Sequence, residues 1–181
     1  MSGREQRSVV LLAIAREAIA ALPDVPAPSR WPEQWLHERA ASFVTLKLDG
    51  ELRGCIGSIE AHRALGEDVH ANARAAAYRD PRFPPVARHE VCALAVEVSV
   101  LSLREPMEAA SERDALAALR PGIDGIVLEY DGRRATFLPQ VWEGIPDPLD
   151  FLTQLRMKAD LPARFWHPRL RLSRYTVEKY R

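Results

Sequence analysis

The chain has little of what marks the more specialised classes of protein. Its 181 residues include only two cysteines, Cys55 and Cys92, which are too few for a disulfide framework and indicate a reducing compartment. Apolar runs are short, and the one that follows Ser8 is interrupted by Arg16 and Glu17, well before the roughly 20 residues that a membrane span needs. We therefore expect a cytoplasmic protein without a membrane span.

An excess of one charge is also missing, because 25 basic residues balance 25 acidic residues at a formal net charge of zero. Neutrality removes bulk attraction to nucleic acid or to an anionic membrane. One local excess remains, since residues 156–181 hold eight basic and two acidic side chains. Phe165, Trp166 and Tyr180 offer stacking surfaces, but the basic run is short and has no recognition motif, so we expect no nucleic-acid partner.

Motifs for metals, cofactors and common nucleophiles are absent as well. There is no C-x-x-C, and the five histidines show neither H-x-x-x-H nor H-x-H spacing. The sequence also lacks a Walker loop, a G-x-G-x-x-G fingerprint and a G-x-S-x-G nucleophile elbow. We therefore expect neither a metal ion nor a cofactor.

What is present fits one globular domain over residues 1–181, with room for two lobes, at an apolar content of 47%. Apolar side chains at helical spacing predict a helix over residues 8–22, capped by Ser8 and ended by the proline-rich connection 23–31. A short helical stretch is predicted over 32–39. Longer helices are predicted over residues 64–78, 111–119 and 148–161. A central strand is predicted over 91–101, with Cys92 in its apolar run and therefore in the core.

The segment 42–58 carries a strong β-hairpin signal around Asp49-Gly50. A two-residue turn at this pair would mix apolar and charged side chains on one face of the hairpin. We therefore predict a three-residue loop, with Gly50 in the left-handed conformation and Lys47 opposite Glu51.

The second half of the chain repeats this hairpin design over residues 125–138. The same three-residue loop would place Glu129 opposite Arg133 there. The C-terminal strand then changes its apolar phase at Arg174, which predicts a bulge.

In the predicted register of the first hairpin, the two faces differ in chemistry. Arg53 and Cys55 project together from one face, because alternate residues of a strand share a side. A permanent positive charge next to a thiol favours thiolate, which is the nucleophilic and metal-binding form. Gly54 and Gly57 bracket the thiol, which indicates a bulge or the close approach of a backbone or ligand. The other face is apolar and consists of Val44, Leu46, Leu52, Gly54 and Ile56.

Cys55 also has a simpler interpretation. Free cysteine is among the most buried residue types and often serves as a small apolar filler. A nucleophilic thiol would in addition need a general base, for which His62 and His70 are the candidates.

Two further segments carry polar groups that need partners. Asn72 lies near the inward face of the predicted helix 64–78, where its amide would brace a loop or meet a ligand. Asp80 and Arg82 lie in a loop stiffened by three prolines. Their charges suit either recognition of an anion or amide, or an internal salt bridge that anchors the loop.

These residues resemble the AMMECR domain family over nearly the whole chain, from about residue 8 to residue 180. The heptapeptide Leu52-Arg53-Gly54-Cys55-Ile56-Gly57-Ser58 is the family's signature. The other matching blocks, in the expected order, are Asn72-Ala73-Arg74-Ala75-Ala76, Asp80-Pro81-Arg82-Phe83, Leu138-Pro139-Gln140-Val141, Phe151-Leu152 and Lys158-Ala159. Arg156 and Asp160 depart from the family, which commonly has cysteine and glycine at these positions, so a site that needs a second thiol there is not expected.

The resemblance implies an α+β fold with a mainly antiparallel sheet, flanking helices and a smaller lobe beside a cleft. It also implies a cytosolic protein of unsettled activity that acts with Memo-like and radical S-adenosylmethionine proteins, in the AmmeMemoRadiSam system. We therefore expect a binding or accessory component, and the alternative is a thiol-dependent enzyme with Cys55 as its nucleophile and Arg53 as its activating cation. The candidate ligand-binding residues are Gly54, Gly57, Ser58, Asn72, Asp80, Arg82 and Gln140.

Overall fold

The computed structural model describes residues 3–21, 28 and 31–181. The chain divides into two units, one formed by Met1–Leu101 with Glu178–Arg181 and the other by Ser102–Val177. Each unit has its own four-stranded sheet, with strand orders β2-β1-β3-β8 and β4-β7-β5-β6. The predicted α+β class is confirmed, with antiparallel sheets and helices, and there are two sheets where one main sheet was expected.

The first unit contains helix α1 at Gly3–Ala20, helix α2 at Leu65–Tyr78, and strands β1 at Ala41–Leu48, β2 at Glu51–Gly57 and β3 at Ala95–Leu101. Both helices and the inner face of the sheet share one apolar core. α1 begins at Gly3, so the prediction of Ser8 as its cap is wrong; the Ser8 hydroxyl donates to the carbonyl of Arg181 instead. The short helix predicted over 32–39 is a 3₁₀ turn at Gln34–His37. The predicted end of α1 and most of the connection 23–31 lie outside the described residues.

The first hairpin closes with a two-residue turn, and the prediction of a three-residue loop is wrong. Leu48 lies opposite Glu51, and both turn residues have positive φ, 53° at Asp49 and 87° at Gly50. Such a turn matches the twist of paired strands. The extra residue falls in β2 instead, where the register shifts and Arg53 forms a bulge between Leu52 and Gly54.

This bulge preserves most of the predicted separation of faces. Beyond it, Gly54 pairs with Leu46 and Ile56 pairs with Val44 on the inner face, as their apolar character requires. Leu52 is the exception, because it lies before the bulge and is 40% exposed.

The expectation for Cys92 is wrong. The predicted strand over 91–101 begins only at Ala95, because Val91–Ala93 form a 3₁₀ turn. Cys92 is exposed in that turn and is a free thiol, as is Cys55.

The second unit contains β4 at Glu105–Met107, α3 at Glu112–Ala118, β5 at Gly125–Tyr130, β6 at Arg133–Phe137, α4 at Pro148–Lys158 and β7 at Arg171–Tyr175. Ser111 caps α3 as predicted, by accepting from the amide of Asp114. The predicted apolar stripe of α4 is buried, and Asp147 caps this helix. The hairpin β5-β6 again uses a two-residue turn, with Tyr130 opposite Arg133, so the predicted pairing of Glu129 with Arg133 is wrong.

The C-terminal strand contains a change of sheet where a bulge was predicted. β7 ends at Tyr175 in the sheet of the second unit, and β8, at Val177–Tyr180, pairs in the sheet of the first. Thr176 separates the two strands. Its carbonyl accepts from the amide of Ser102, and its amide donates to the Ser102 hydroxyl. The apolar phase changes within β7 itself, since Leu172 packs in the core of the second unit and the ring of Tyr175 lies against Gly125. Among the described residues, no helix combines the length and the apolar character that a bilayer crossing requires.

Candidate functional site around Cys55

Cys55 lies on β2 with its side chain on the outer face of the first sheet, opposite to the face that packs against α1 and α2. Its thiol is half-buried and lies 3.2 Å from the hydroxyl of Thr45, the residue directly opposite on β1. Thr45 in turn lies opposite Glu97 of β3. A thiol, a hydroxyl and a carboxylate therefore form one row across three neighbouring strands.

Glu97 is held at the far end of this row by basic side chains from the chain's C-terminus. Its carboxylate forms an ion pair with Arg181 and lies 3.9 Å from the ammonium of Lys179. These cations compensate the charge of the carboxylate at this end of the row.

Arg53 bonds to other groups than the thiol. Its guanidinium donates to both carboxylate oxygens of Glu90, at 2.9 and 3.0 Å, and to the carbonyls of Pro84 and Pro85. The hydrogen bond from Arg53 lowers the pKa of Glu90 to about 2 and raises the pKa of Arg53 itself. The expected partnership of Arg53 with the thiol is therefore replaced by a charge pair that anchors the 84–90 loop to β2.

Arg82 is the cation that the structure brings to Cys55. It donates to the Cys55 carbonyl at 3.1 Å, while the Cys55 amide donates to Asp80 at 2.9 Å. Asp80 and Arg82 also form an ion pair with each other at 2.7 Å. This is the internal salt bridge that was one of the two roles predicted for these residues. Since β2 is an edge strand, this pair satisfies peptide groups that would otherwise be open to another strand.

The charges of this pair extend to the thiol. The hydrogen bond from Arg82 holds the pKa of Asp80 far below its usual range, against the opposing effect of burial. The pKa of Arg82 is raised, chiefly by the hydrogen bond to Asp80 and also by the negative charge that Cys55 carries when ionised. The Arg82 guanidinium therefore lies within electrostatic reach of the Cys55 side chain.

A second carboxylate, Asp68, fixes the end of the signature segment. It is fully buried and accepts hydrogen bonds from the side chains of Ser42, Ser58, Arg63 and Asn72. The Asn72 amide also donates to the carbonyl of Ser42 at 3.0 Å. Asn72 and Ser58 thus brace the sheet against α2, which is the structural role that the sequence analysis allowed for Asn72.

The two signature glycines are sites of close approach. A Cβ at Gly54 would lie 2.1 Å from the carbonyl oxygen of Ala76 in α2, and one at Gly57 would lie 2.2 Å from the ring of Phe43. Gly54 therefore lets the helix pack directly on the strand.

The remaining candidates lie apart from this group. Gln140 is exposed in a 3₁₀ turn, Pro139–Glu143, of the second unit. His70 is buried against Trp31, and its pKa is lowered by burial and then by Arg74. His62 is exposed and lies 3.1 Å from Glu60. Within the described part of the chain, no cluster of three potential ligands could hold a metal ion.

Thr45, Glu97, Asp68 and Glu90 are site residues that the sequence analysis missed. A correct hairpin register would have revealed Thr45 as the neighbour of Cys55, since the predicted register placed Arg53 there. Asp68 and Glu90 carry no local pattern that separates them from other acidic residues. Their roles follow only from tertiary packing.

Comparison with known proteins agrees with this architecture. The sequence profile described as AMMECR1 matches residues 12–180. The chain belongs to the AMMECR1 family. A relative from Methanothermobacter thermautotrophicus is 37% identical, with 98% of this chain and 94% of that protein covered. One from Thermotoga maritima is 38% identical, with 83% and 82% covered.

A solved structure supports the fold of this AMMECR1 protein as well. The crystal structure of uncharacterized protein PH0010 from Pyrococcus horikoshii matches it with a TM-score of 0.78 at 33% identity. The match covers 93% of this chain and 88% of that one. The family and the fold are thus known.

Proposed function

We propose that this AMMECR1 protein is a binding component that acts with Memo-like and radical S-adenosylmethionine proteins in the cytoplasm. Its recognition surface is the Arg53/Cys55 motif on β2, presented with Thr45 and with the exposed part of Arg82. The family resemblance is what suggests the partners. The geometry around the thiol is what favours binding over catalysis.

The observation that carries this proposal is how the polar groups of the motif are used. Arg53, Ser58 and Asn72 are all bonded to other parts of the first unit, so they hold β2 in place. Among the described residues, the only hydrogen-bond partner of the Cys55 thiol is the hydroxyl of Thr45. An adjacent base within hydrogen-bond reach is one of the usual ways to activate a nucleophilic cysteine, and a hydroxyl cannot serve as that base near neutral pH.

Arg82 supplies a test of the recognition surface. About half of its side chain, 54%, is exposed although its head group is held by Asp80, so it is a fixed cation that a partner can contact. Binding of the full chain to a purified Memo-like protein and to a purified radical S-adenosylmethionine protein is measured by biolayer interferometry. We expect Arg82→Ala to weaken binding by about tenfold or more, and Cys55→Ser to leave it within about twofold.

Arg88→Ala is the matched control, because Arg88 is an exposed arginine of the same loop region. It should bind as the unsubstituted chain does. Circular dichroism of each variant establishes that the fold is intact. Failure of both partners to bind, or equal binding by Arg82→Ala and Arg88→Ala, would contradict the proposal.

The alternative is a thiol-dependent enzyme, and the contact of Cys55 with both Thr45 and Arg82 is the observation in its favour. Cys92 provides an internal comparison, because it is the more exposed thiol. A binding role predicts that iodoacetamide alkylates Cys92 faster than Cys55 near neutral pH, as exposure alone dictates. Faster alkylation of Cys55, slowed in Arg82→Gln, would favour the enzyme.

A further inference from the structure

The second unit carries an arginine-lined hollow that the proposed function does not use. Its volume is about 400 Å³, which is within the usual range of small-molecule sites. It is formed by the tip of the β5-β6 hairpin and by the residues that lead into β7. Four arginines line it against two carboxylates, namely Arg133, Arg134, Arg169 and Arg171 against Glu129 and Asp131.

The strand register builds one side of this hollow. Glu129 of β5 lies directly opposite Arg134 on one neighbouring strand and Arg171 on the other. Its carboxylate pairs with Arg134 at 3.4 Å and also lies 3.9 Å from Arg104. The charge of Glu129 is therefore already compensated, and Arg171 has no carboxylate partner among the described residues.

Tyr130 is the aromatic side chain that lines the hollow. Tyr130 packs edge-on against Phe165 and His167, at ring-centroid distances of 4.7 and 5.3 Å. The guanidinium of Arg169 lies over the ring of Tyr130 at 5.8 Å, which orients it without neutralising it. The guanidinium of Arg133 donates to the carbonyl of Asp160, which again leaves its charge uncompensated.

The arrangement combines guanidinium groups, of which those of Arg133 and Arg169 are held by contacts with the protein, with a surplus of positive charge in a concave site. Guanidinium groups bind phosphate oxygens in a bidentate manner, and a cleft lined by one sign of charge concentrates ions of the opposite sign. We propose that this hollow binds the oligophosphate group of a small metabolite, with Arg169 and Arg171 as its main contacts. Free inorganic polyphosphate and a nucleotide share this chemistry.

Isothermal titration calorimetry of the full chain tests the proposal with three probes: inorganic tripolyphosphate, ATP and adenosine. Tripolyphosphate and ATP should each saturate at one molecule per chain, and adenosine should not bind. Equal affinities for the first two would identify the phosphate group as the whole determinant. Tighter binding of ATP would add a contact of its base with Tyr130, and both results support the site.

Charge-neutral variants locate the binding. The double variant Arg169→Gln/Arg171→Gln should weaken binding by about tenfold or more. The affinity of Arg169→Lys/Arg171→Lys should lie between that of the glutamine variant and that of the unsubstituted chain, because lysine keeps the charge but not the bidentate geometry. Arg113→Gln is the control, since Arg113 is an exposed arginine of α3 outside the hollow.

Three outcomes would overturn the proposal. The first is no saturable binding of either phosphate probe at millimolar concentration. The second is equal weakening in Arg113→Gln, which would indicate bulk attraction. The third is binding of oligothymidylate in preference to ATP, with affinity that rises with its length, which would make the hollow a nucleic-acid contact.

Discussion

Gly54 is the position where one added methyl group should disturb the signature strand most. The Cβ of an alanine there would lie 2.1 Å from the carbonyl oxygen of Ala76 and 3.0 Å from its carbonyl carbon, whereas ordinary contact begins near 3.4 Å. Both atoms belong to the backbone of α2, so no side chain can rotate away. Relief requires α2 to move from β2 by more than 1 Å, although it also packs against α1 and β1.

The expected cost follows from this geometry. Overpacking a core typically costs 1–3 kcal/mol, and a backbone obstacle puts Gly54→Ala at about 3 kcal/mol or more. For a chain of this size, such a loss lowers the melting temperature by roughly 6–12 °C. Urea denaturation followed by circular dichroism measures the free energy of unfolding, and amide hydrogen exchange shows whether β2 and α2 lose protection together.

Two other glycines provide matched controls. A Cβ at Gly144 meets one atom only, at 3.9 Å, and a Cβ at Gly3, in the same unit as Gly54, meets nothing within 4 Å. Gly144→Ala and Gly3→Ala should therefore stay within about 0.5 kcal/mol of the unsubstituted chain. Equal stability of Gly54→Ala and these controls would refute the close packing of α2 on the signature strand.

Two further predictions concern charged groups. Glu90→Gln should be less stable than the unsubstituted chain at pH values above 4.5, the ordinary carboxyl pKa. The difference in the free energy of unfolding should shrink as pH falls toward the folded pKa of about 2, because a lowered pKa stabilises the fold only while the group is ionised there. Urea titrations across this range measure that difference, and a constant difference would contradict the prediction. Glu112→Ala should lower the free energy of unfolding, measured by chemical denaturation, by about 3–5 kcal/mol, because it leaves the fully buried guanidinium of Arg156 without its carboxylate. Arg156→Met should cost less, because it leaves a carboxylate that water can reach.

Much of the fold was predictable because its helices carry strong local signals. Ser111 caps α3, and the apolar stripe of α4 is buried as predicted. At position 160 the family resemblance leads us to expect glycine, and the backbone there has the conformation that glycine favours. Asp160 follows the end of α4 with a φ of 55°, the left-handed conformation that glycine adopts most easily.

The hairpins were harder because two geometries satisfy the same apolar pattern. An extra residue in the loop and an extra residue in the strand both restore the alternation of faces after Gly54. The loop was predicted, and the strand holds the extra residue. Asp-Gly in a two-residue turn is the stronger preference, since both residues then adopt positive φ. Cys92 was misplaced for a related reason, as a short apolar run does not distinguish a strand from a turn that packs against one.

The bulge also explains why the side chains of the signature segment do not project as they would along a regular strand. Along a regular strand, Arg53 and Cys55 would project side by side, and the arginine would be the obvious activator of the thiol. A bulged residue is redirected, and here the Arg53 guanidinium is bonded to Glu90 and to two proline carbonyls. The loop anchored in this way carries Asp80 and Arg82, which bond to the amide and carbonyl of Cys55 from the open side of the sheet. Arg53 therefore affects Cys55 indirectly, through the position of Arg82. Arg53→Ala should alter the surroundings of Cys55 only to the extent that it releases the 80–90 loop.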